Sequence, residues 1–288
     1  MAEGALIYPA TTAIATVAVA LCFVHARGDA DRLTLLAMAL IYGFLLEQGS
    51  IIAFEAYVYA TDQFVVTLLD VPIAIALAWA AIIYAAIQTG THLGLRPAQL
   101  PFFVALYALH IDIAIDAVAI RVPFWEWQTG GVWFGVPLGN FVAWYLVAIL
   151  FTGSYLAFRS LTANRLLQVI GTLVASVASL LVGLELYIEL IKANGLLWEV
   201  LVFVGIVVVA LWVIGRESPR QRPAPLPRSI LTVGLLFHLY FLVLLVGLGI
   251  YRIQPWLVVI AVAMLGLTIW MHWLPTRQHI PRPKTKEV

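Results

Sequence analysis

The chain has 288 residues, 63% of them hydrophobic and only 11% charged, with a formal net charge of +1 and a mean hydropathy of +1.01. A water-soluble domain of this size cannot hide that much apolar side chain, so lipid is the expected solvent for most of its surface. The near-neutral charge excludes the dense basic face that nucleic acid would require. The single cysteine, Cys22, excludes an internal disulfide and offers no metal or redox motif.

Apolar stretches of spanning length run at 5–24, 33–59, 64–87, 100–121, 136–158, 166–190, 196–215, 230–250 and 255–274, each near the roughly 20 residues that a bilayer core requires. They predict an all-α fold: a polytopic helical bundle of nine transmembrane helices, one membrane domain over 1–274 and a basic tail over 275–288. The first stretch has Glu3 as its only preceding charge and is long enough to span, so it reads as a membrane helix and not as a signal peptide. The second carries Glu47 and Glu55. The third carries Asp70, with Pro72 expected to kink the helix or start its regular part.

The fourth stretch holds His110, Asp112 and Asp116, and a loop with Trp125, Glu126, Trp127 and Trp133 follows it. The fifth opens with Pro137, a tolerated first-turn position, and sets Asn140 and Trp144 on one face. The sixth ends with Glu185 and Glu189; Glu189 reads as a solvated helix end and Glu185 as a candidate for a site. The seventh and ninth are almost wholly apolar and are expected at the periphery. His238 and Tyr240 lie on the eighth, and neither His110 nor His238 has ligand-like spacing, so both read as hydrogen-bonded core residues.

The connections test this count. With the N-terminus outside, every Lys and Arg except Arg121, Lys192 and Arg252 falls on the inner side, which is the bias of a protein oriented N-out and C-in. The Arg216–Ser229 stretch, with its alternating arginines and prolines, and the basic tail both read as solvated cytoplasmic segments.

An acid at the centre of a bilayer costs roughly 2.5–3.5 kcal/mol on insertion scales, so each buried carboxylate needs a partner or a function. The predicted topology gathers them in the outer half of the membrane. Asp112 and Asp116 stand at i, i+4 and share a helical face. Two such carboxylates away from water do not both ionise, which makes one a proton-holding general acid. The structural alternative is that Arg121 and tyrosines neutralise the cluster. The tryptophans of the loop fit an aromatic belt; equally, with Glu126 between two of them and Gly130–Gly131 letting the loop fold back, they fit a lid over the acids.

At these residues the chain resembles a known family, the membrane carotenoid-biosynthesis hydratases of the bisanhydrobacterioruberin hydratase and carotenoid 1,2-hydratase type. The likeness rests on Glu47, on Tyr57 and Tyr59, on Val71–Pro72 and Trp79, and on Asp112 and Asp116 followed by Val118–Ala119. It continues through Trp125, Glu126 and Trp127, then Gly135, Val136 and Pro137 leading to Asn140, Phe141 and Trp144. It covers about a third of the chain. Ala117 stands where the family often has proline, and residues 49–56 are less glycine-rich than expected and carry the extra Glu55.

The resemblance implies a cofactor-independent, metal-independent enzyme of the cell membrane that adds water across a terminal isoprenoid double bond of an acyclic C40 or C50 carotenoid. Asp116, Asp112 and Glu47 would be the acid and base. Tyr57, Tyr59, Trp79, Trp125, Trp127 and Trp144, with Glu126 and Asn140, would contact the substrate. Its partners would be the carotenoid, lipid and other enzymes of carotenoid biosynthesis.

Two other classes share some of these features. Buried acids also mark the ion paths of proton-coupled transporters, though here the inner halves of the predicted helices show no matching relay. The Asp-x-x-x-Asp spacing at 112–116 suggests an intramembrane prenyltransferase, which would need magnesium, a diphosphate and basic partners where only three basic residues are predicted.

Overall fold

The computed structural model describes residues 6–216 and 226–273. Its helices are α1 (Ile7–Ala26), α2 (Ala30–Phe54), α3 (Ile73–His92), α4 (Leu100–Ala119), α5 (Leu138–Leu161), α6 (Arg165–Leu190), α7 (Leu196–Gly215), α8 (Arg228–Gly247) and α9 (Trp256–Trp273). The first eight are long and apolar enough to cross a membrane, and α9 is a slightly shorter apolar helix of 18 residues. The protein is thus a multi-pass membrane protein with an all-α bundle. Most of the Arg216–Ser229 stretch and the whole 275–288 tail lie outside the described residues.

Local chemistry sets the helix starts. The Asp29 carboxylate accepts from the Asp31 and Arg32 amides to cap α2, and the Asn164 side chain does the same for α6 from Leu166 and Leu167. Pro72, Pro137 and Pro227 stand at the N-caps of α3, α5 and α8 in extended conformation. A proline there fixes the entry angle without removing a helix hydrogen bond. Pro72 therefore starts the regular helix, one of the two outcomes expected for it.

Two predicted spans are corrected. The 33–59 and 64–87 stretches overrun their helices, because α2 ends at Phe54 with Glu55 in the left-handed region at φ 46°, and α3 begins only at Ile73. The chain between them forms β1 (Tyr57–Tyr59), β2 (Thr67–Leu68) and β3 (Val71–Pro72), and a fourth strand, β4 (Trp125–Trp127), follows α4. β1 pairs antiparallel with β4, and β2 with β3. Aromatic and β-branched residues favour strands while scoring as apolar, so hydropathy alone merges them with the adjoining helices.

The centre of the bundle is α3 and α4, whose faces are almost wholly buried. α2, α1 and α8 pack on α3, whereas α5, α8, α9 and α7 pack on α4. α7 buries only Ala210 and lies at the periphery, as its composition suggests. α2 approaches α3 closely at Gly43, where a Cβ would sit 2.7 Å from Trp79 Cβ and 3.0 Å from the Ala76 carbonyl. Only glycine fits that crossing, and the close approach brings Glu47, one turn along α2, against Trp79.

The polar contacts sort the connections to two ends. Asp31, in the first turn of α2, pairs with Arg159 at 3.2 Å and with Arg165 at 2.5 Å, across the α5–α6 connection. These exposed pairs add little stability, but they fix one end of the bundle as an arginine end. The β1–β4 ladder ties the α2–α3 and α4–α5 connections together at the other, strand-bearing end.

On the arginine side of the aspartates the bundle is more polar than the sequence suggests. His110 Nε2 lies 2.9 Å from Thr268 Oγ1 and 3.3 Å from His238 Nε2, while His272 Nδ1 approaches the Thr268 carbonyl at 2.6 Å. The imidazoles are hydrogen-bonded core residues, as read from their spacing.

For the topology, reporter fusions at Thr61, in the strand-bearing connection, and at Pro97, between α3 and α4, are expected on opposite sides of the membrane, Thr61 outside. The same side for both would break the alternation, and Thr61 inside would reverse the N-out orientation.

Candidate active site

Glu47 is the centre of the strand-bearing end. Its side chain is buried, and three donors converge on it: Tyr57 Oη at 2.5 Å and Tyr59 Oη at 2.8 Å reach Oε2, and Trp79 Nε1 reaches Oε1 at 2.6 Å. The period-two geometry of β1 explains the pair of tyrosines, since residues 57 and 59 share one face of the strand. The register Tyr57↔Trp127 and Tyr59↔Trp125 then lays two indoles beside the phenols, with ring centroids 5.1 Å and 5.9 Å apart.

The same alternation corrects one expectation. Glu126 pairs with Val58 on the opposite face of the ladder and is exposed. The carboxylate expected to contact substrate points away from the site.

The second acidic cluster lies on α4. Asn140 Nδ2, in the first turn of α5, donates to Asp112 Oδ2 at 2.7 Å and to Asp116 Oδ2 at 2.8 Å. The other oxygen of each carboxyl, Oδ1, is buried with no hydrogen-bond partner among the described residues. The alternative in which Arg121 neutralises the pair finds no support: its Nη1 donates to the Ala117 carbonyl at 2.6 Å and the Phe134 carbonyl at 2.9 Å, so it fastens the loop instead. That loop folds back at Gly131, where the Gly131 amide donates to the Gly135 carbonyl at 3.1 Å and a Cβ would overlap the Val136 backbone.

One elongated cavity joins these features, enclosing roughly 1560 Å³ of empty space with its open mouth included. Glu47, Tyr57, Tyr59, Trp79, Trp125, Trp127, Asn140 and Trp144 all line it, and the Trp79 and Trp144 rings lie 4.1 Å apart in its wall. Asp112 and Asp116 do not line it; they lie behind Asn140, and Trp125 neighbours Asp116. Two carboxylic groups with one amide between them, and no cation alongside, are a place to keep a proton. A carboxyl group that accepts three hydrogen bonds is held in one orientation.

The remaining acids stand apart. Asp70 and Gln48 bond reciprocally, Gln48 Nε2 to Asp70 Oδ2 at 2.8 Å and the Asp70 amide to Gln48 Oε1 at 3.1 Å, which clamps the start of α3 to α2. Glu55, Glu189 and the candidate Glu185 are exposed and do not line the cavity. Sequence reasoning missed Ser50, Tyr187, Lys192 and Glu199, which do line it. Glu199 is the lone charge of an otherwise apolar α7, and that isolation was the available signal. Among the described residues no group of three His, Cys, Asp or Glu side chains is arranged to hold a metal ion.

A family model described as carotenoid biosynthesis protein matches residues 7–212. The chain belongs to the carotenoid biosynthesis protein family. The match spans α1 to α7 and so includes both acidic clusters and the strands that shape the cavity. No curated protein and no solved structure matches the chain. The likeness gives the protein a membrane-embedded role linked to carotenoid biosynthesis.

Because Asn140 is the one side chain that donates to both aspartates, its replacement by Ala is expected to cost about 1–3 kcal/mol, the penalty for stranding buried polar groups. Unfolding in mixed micelles would measure it. Glu126→Gln, on the outward face of β4, is expected to leave stability unchanged.

Proposed function

We propose that this protein is an intramembrane hydratase that adds water across a terminal isoprenoid double bond of an acyclic C40 or C50 carotenoid. The observation that carries the reading is the pairing, in and behind the wall of one aromatic-lined cavity, of a triply hydrogen-bonded carboxylate with a carboxyl pair that has no cation beside it. Family membership supplies the substrate class.

Protonation of a trisubstituted alkene gives a tertiary carbocation, so the reaction needs an acid, faces that tolerate the cation, and a held water to capture it. On this reading the aspartate pair gives its proton to the terminal alkene. Asn140 stands between the pair and the cavity, so delivery requires the substrate end to displace its amide and meet Asp116. The cation forms against Trp79, Trp144 and the phenols. Glu47, held by Tyr57, Tyr59 and Trp79, faces it and takes a proton from the attacking water. That proton returns to the aspartate pair. One water is consumed, one C–O and one C–H bond form, and no redox state changes.

The buried imidazoles around His110 keep proton transport as a second reading, since they supply polarity on the arginine side of the aspartates. Proton flux into vesicles without carotenoid would decide for it. The prenyltransferase reading has weaker support: the two aspartates share one amide and Arg121 is committed to carbonyls, which leaves little for a diphosphate.

Expression in a host that makes acyclic carotenoids should yield products heavier by one or two waters. Asp116→Asn, Asp112→Asn and Glu47→Gln keep size and hydrogen bonding but lose the titratable proton, and each is expected to lower turnover on the order of 10²–10⁴-fold while the protein still folds. Glu189→Gln should retain most activity. Near wild-type hydration by a folded Asp116→Asn protein would remove the assigned acid and shift that role to Glu47.

Because acid–base groups suffice for this chemistry, hydration by the purified enzyme should survive treatment with a chelator. Loss on chelation with recovery on adding a divalent ion would make the carboxylates ligands instead.

A further inference from the structure

The polar atoms of the cavity wall that do not belong to the two acidic clusters are segregated. Where α1, α3 and α8 form the wall, it presents Ile14, Ala15, Ala78, Ile82 and Phe237. The two hydroxyls there, Thr11 and Tyr240, bond each other at 2.6 Å. Where α2, the loop after β4, α6 and α7 form it, the wall presents Ser50, Thr129, Tyr187, Lys192 and Glu199. Thr129 and Lys192 are exposed, so the polar side of the cavity reaches the surface, whereas Ala15 and Phe237 on the apolar side are buried.

The polar side is built. Tyr187 is buried and its Oη donates to Glu199 Oε2 at 2.6 Å, across from α6 to α7. Its ring is packed against the start of α5, where a Cβ on Gly139 would lie 3.0 Å from Tyr187 Cε1. Glu199 is the one charge on α7, and a carboxylate on a lipid-facing helix is costly unless it faces a cavity or water. Ser50 stands at i+3 from Glu47 on α2, so the two are neighbours on one helical face.

We propose that the Tyr187–Glu199 pair, with Lys192, is the port through which substrate water enters, and that Ser50 passes this water to Glu47. The inference rests on the hydratase reading, which consumes one water per turnover. The apolar wall, whose two hydroxyls are taken up by each other, offers water little to bind, whereas the polar side offers a sequence of partners from the surface to Glu47. The polyene and the water then meet at Glu47 from different sides of one cavity.

The test uses the full-length protein in detergent, where its single native cysteine is buried. Cysteines are placed singly at Ser50, Thr129, Ala15 and Ala78 and exposed to a charged, water-borne thiol reagent. Ser50→Cys and Thr129→Cys are expected to label and Ala15→Cys and Ala78→Cys to resist, and adding Glu199→Leu should slow labelling at position 50. Labelling of Ala78→Cys as fast as Ser50→Cys, or resistance at Ser50→Cys, overturns the port. This readout needs no turnover, so it fails independently of the hydratase reading. In the active enzyme, Glu199→Leu should lower kcat on the order of tenfold, the worth of a hydrogen bond to a charged group, with KM for the carotenoid unchanged. A raised KM at unchanged kcat would make the cluster a carotenoid contact, and unchanged kcat and KM would leave it no role in supplying water; either result overturns the proposal.

Discussion

The strand-bearing end of this bundle is organised by one buried carboxylate. An isolated charge in a lipid-embedded core is costly, and Glu47 is compensated by three donors drawn from two elements beyond its own helix. Each donor has a structural consequence. Trp79 holds α2 to α3 at the crossing that Gly43 makes close. Tyr57 and Tyr59 require the chain to leave the helix after Phe54 and run extended, and the extended run is what β4 pairs with. The aromatic wall of the cavity follows from satisfying one acid.

The two acidic clusters differ in what surrounds them more than in their chemistry. Three hydrogen bonds hold Glu47 and leave its Oε1 one further acceptor position, which suits a group that stays in place while charge develops nearby. Asp112 and Asp116 share a single amide and each keeps an unpaired oxygen. Carboxyl groups placed in contrasting environments around one cavity are the arrangement that separates acid from base in acid–base enzymes. In the proposed hydration the poorly satisfied pair is the proton donor and the well-satisfied carboxylate the partner of the cation.

Much of the fold was legible because hydropathy reports what a bilayer selects: α1, α4 and α7 begin and end close to where their apolar runs do. It failed between residues 55 and 72, where tyrosines and valines are as apolar as a helix demands but pair as strands. The site was partly legible. Asp112 and Asp116 declared themselves by helical spacing, and Asn140 as a polar residue near the start of the fifth apolar run, but their contact depends on how α4 and α5 pack, which no local pattern encodes. Glu126 was misplaced for want of the β register, and the alternative of Arg121 as a counter-ion could be set aside only from its hydrogen bonds to backbone carbonyls. Glu199 was passed over because α7 reads as a lipid-facing helix, and by burial it is one; a single residue in its first turn is the exception.

The charge balance of the cavity narrows what can react there. Glu47 faces the cavity and Asp112 and Asp116 lie behind Asn140, with no basic side chain in contact with them among the described residues, and Lys192 stands out at the mouth. A site of this sign repels anionic groups and favours a species that becomes positive, and the low dielectric of a membrane interior strengthens both effects. Tryptophan and tyrosine faces act in the same direction on a cation without reacting with it. A neutral polyene meets no electrostatic barrier on entry, and the attraction develops only when protonation makes it positive. Interactions that are stronger in the transition state than in the ground state are the ones that accelerate a reaction, and this wall supplies them to a substrate that offers no polar group by which to be held.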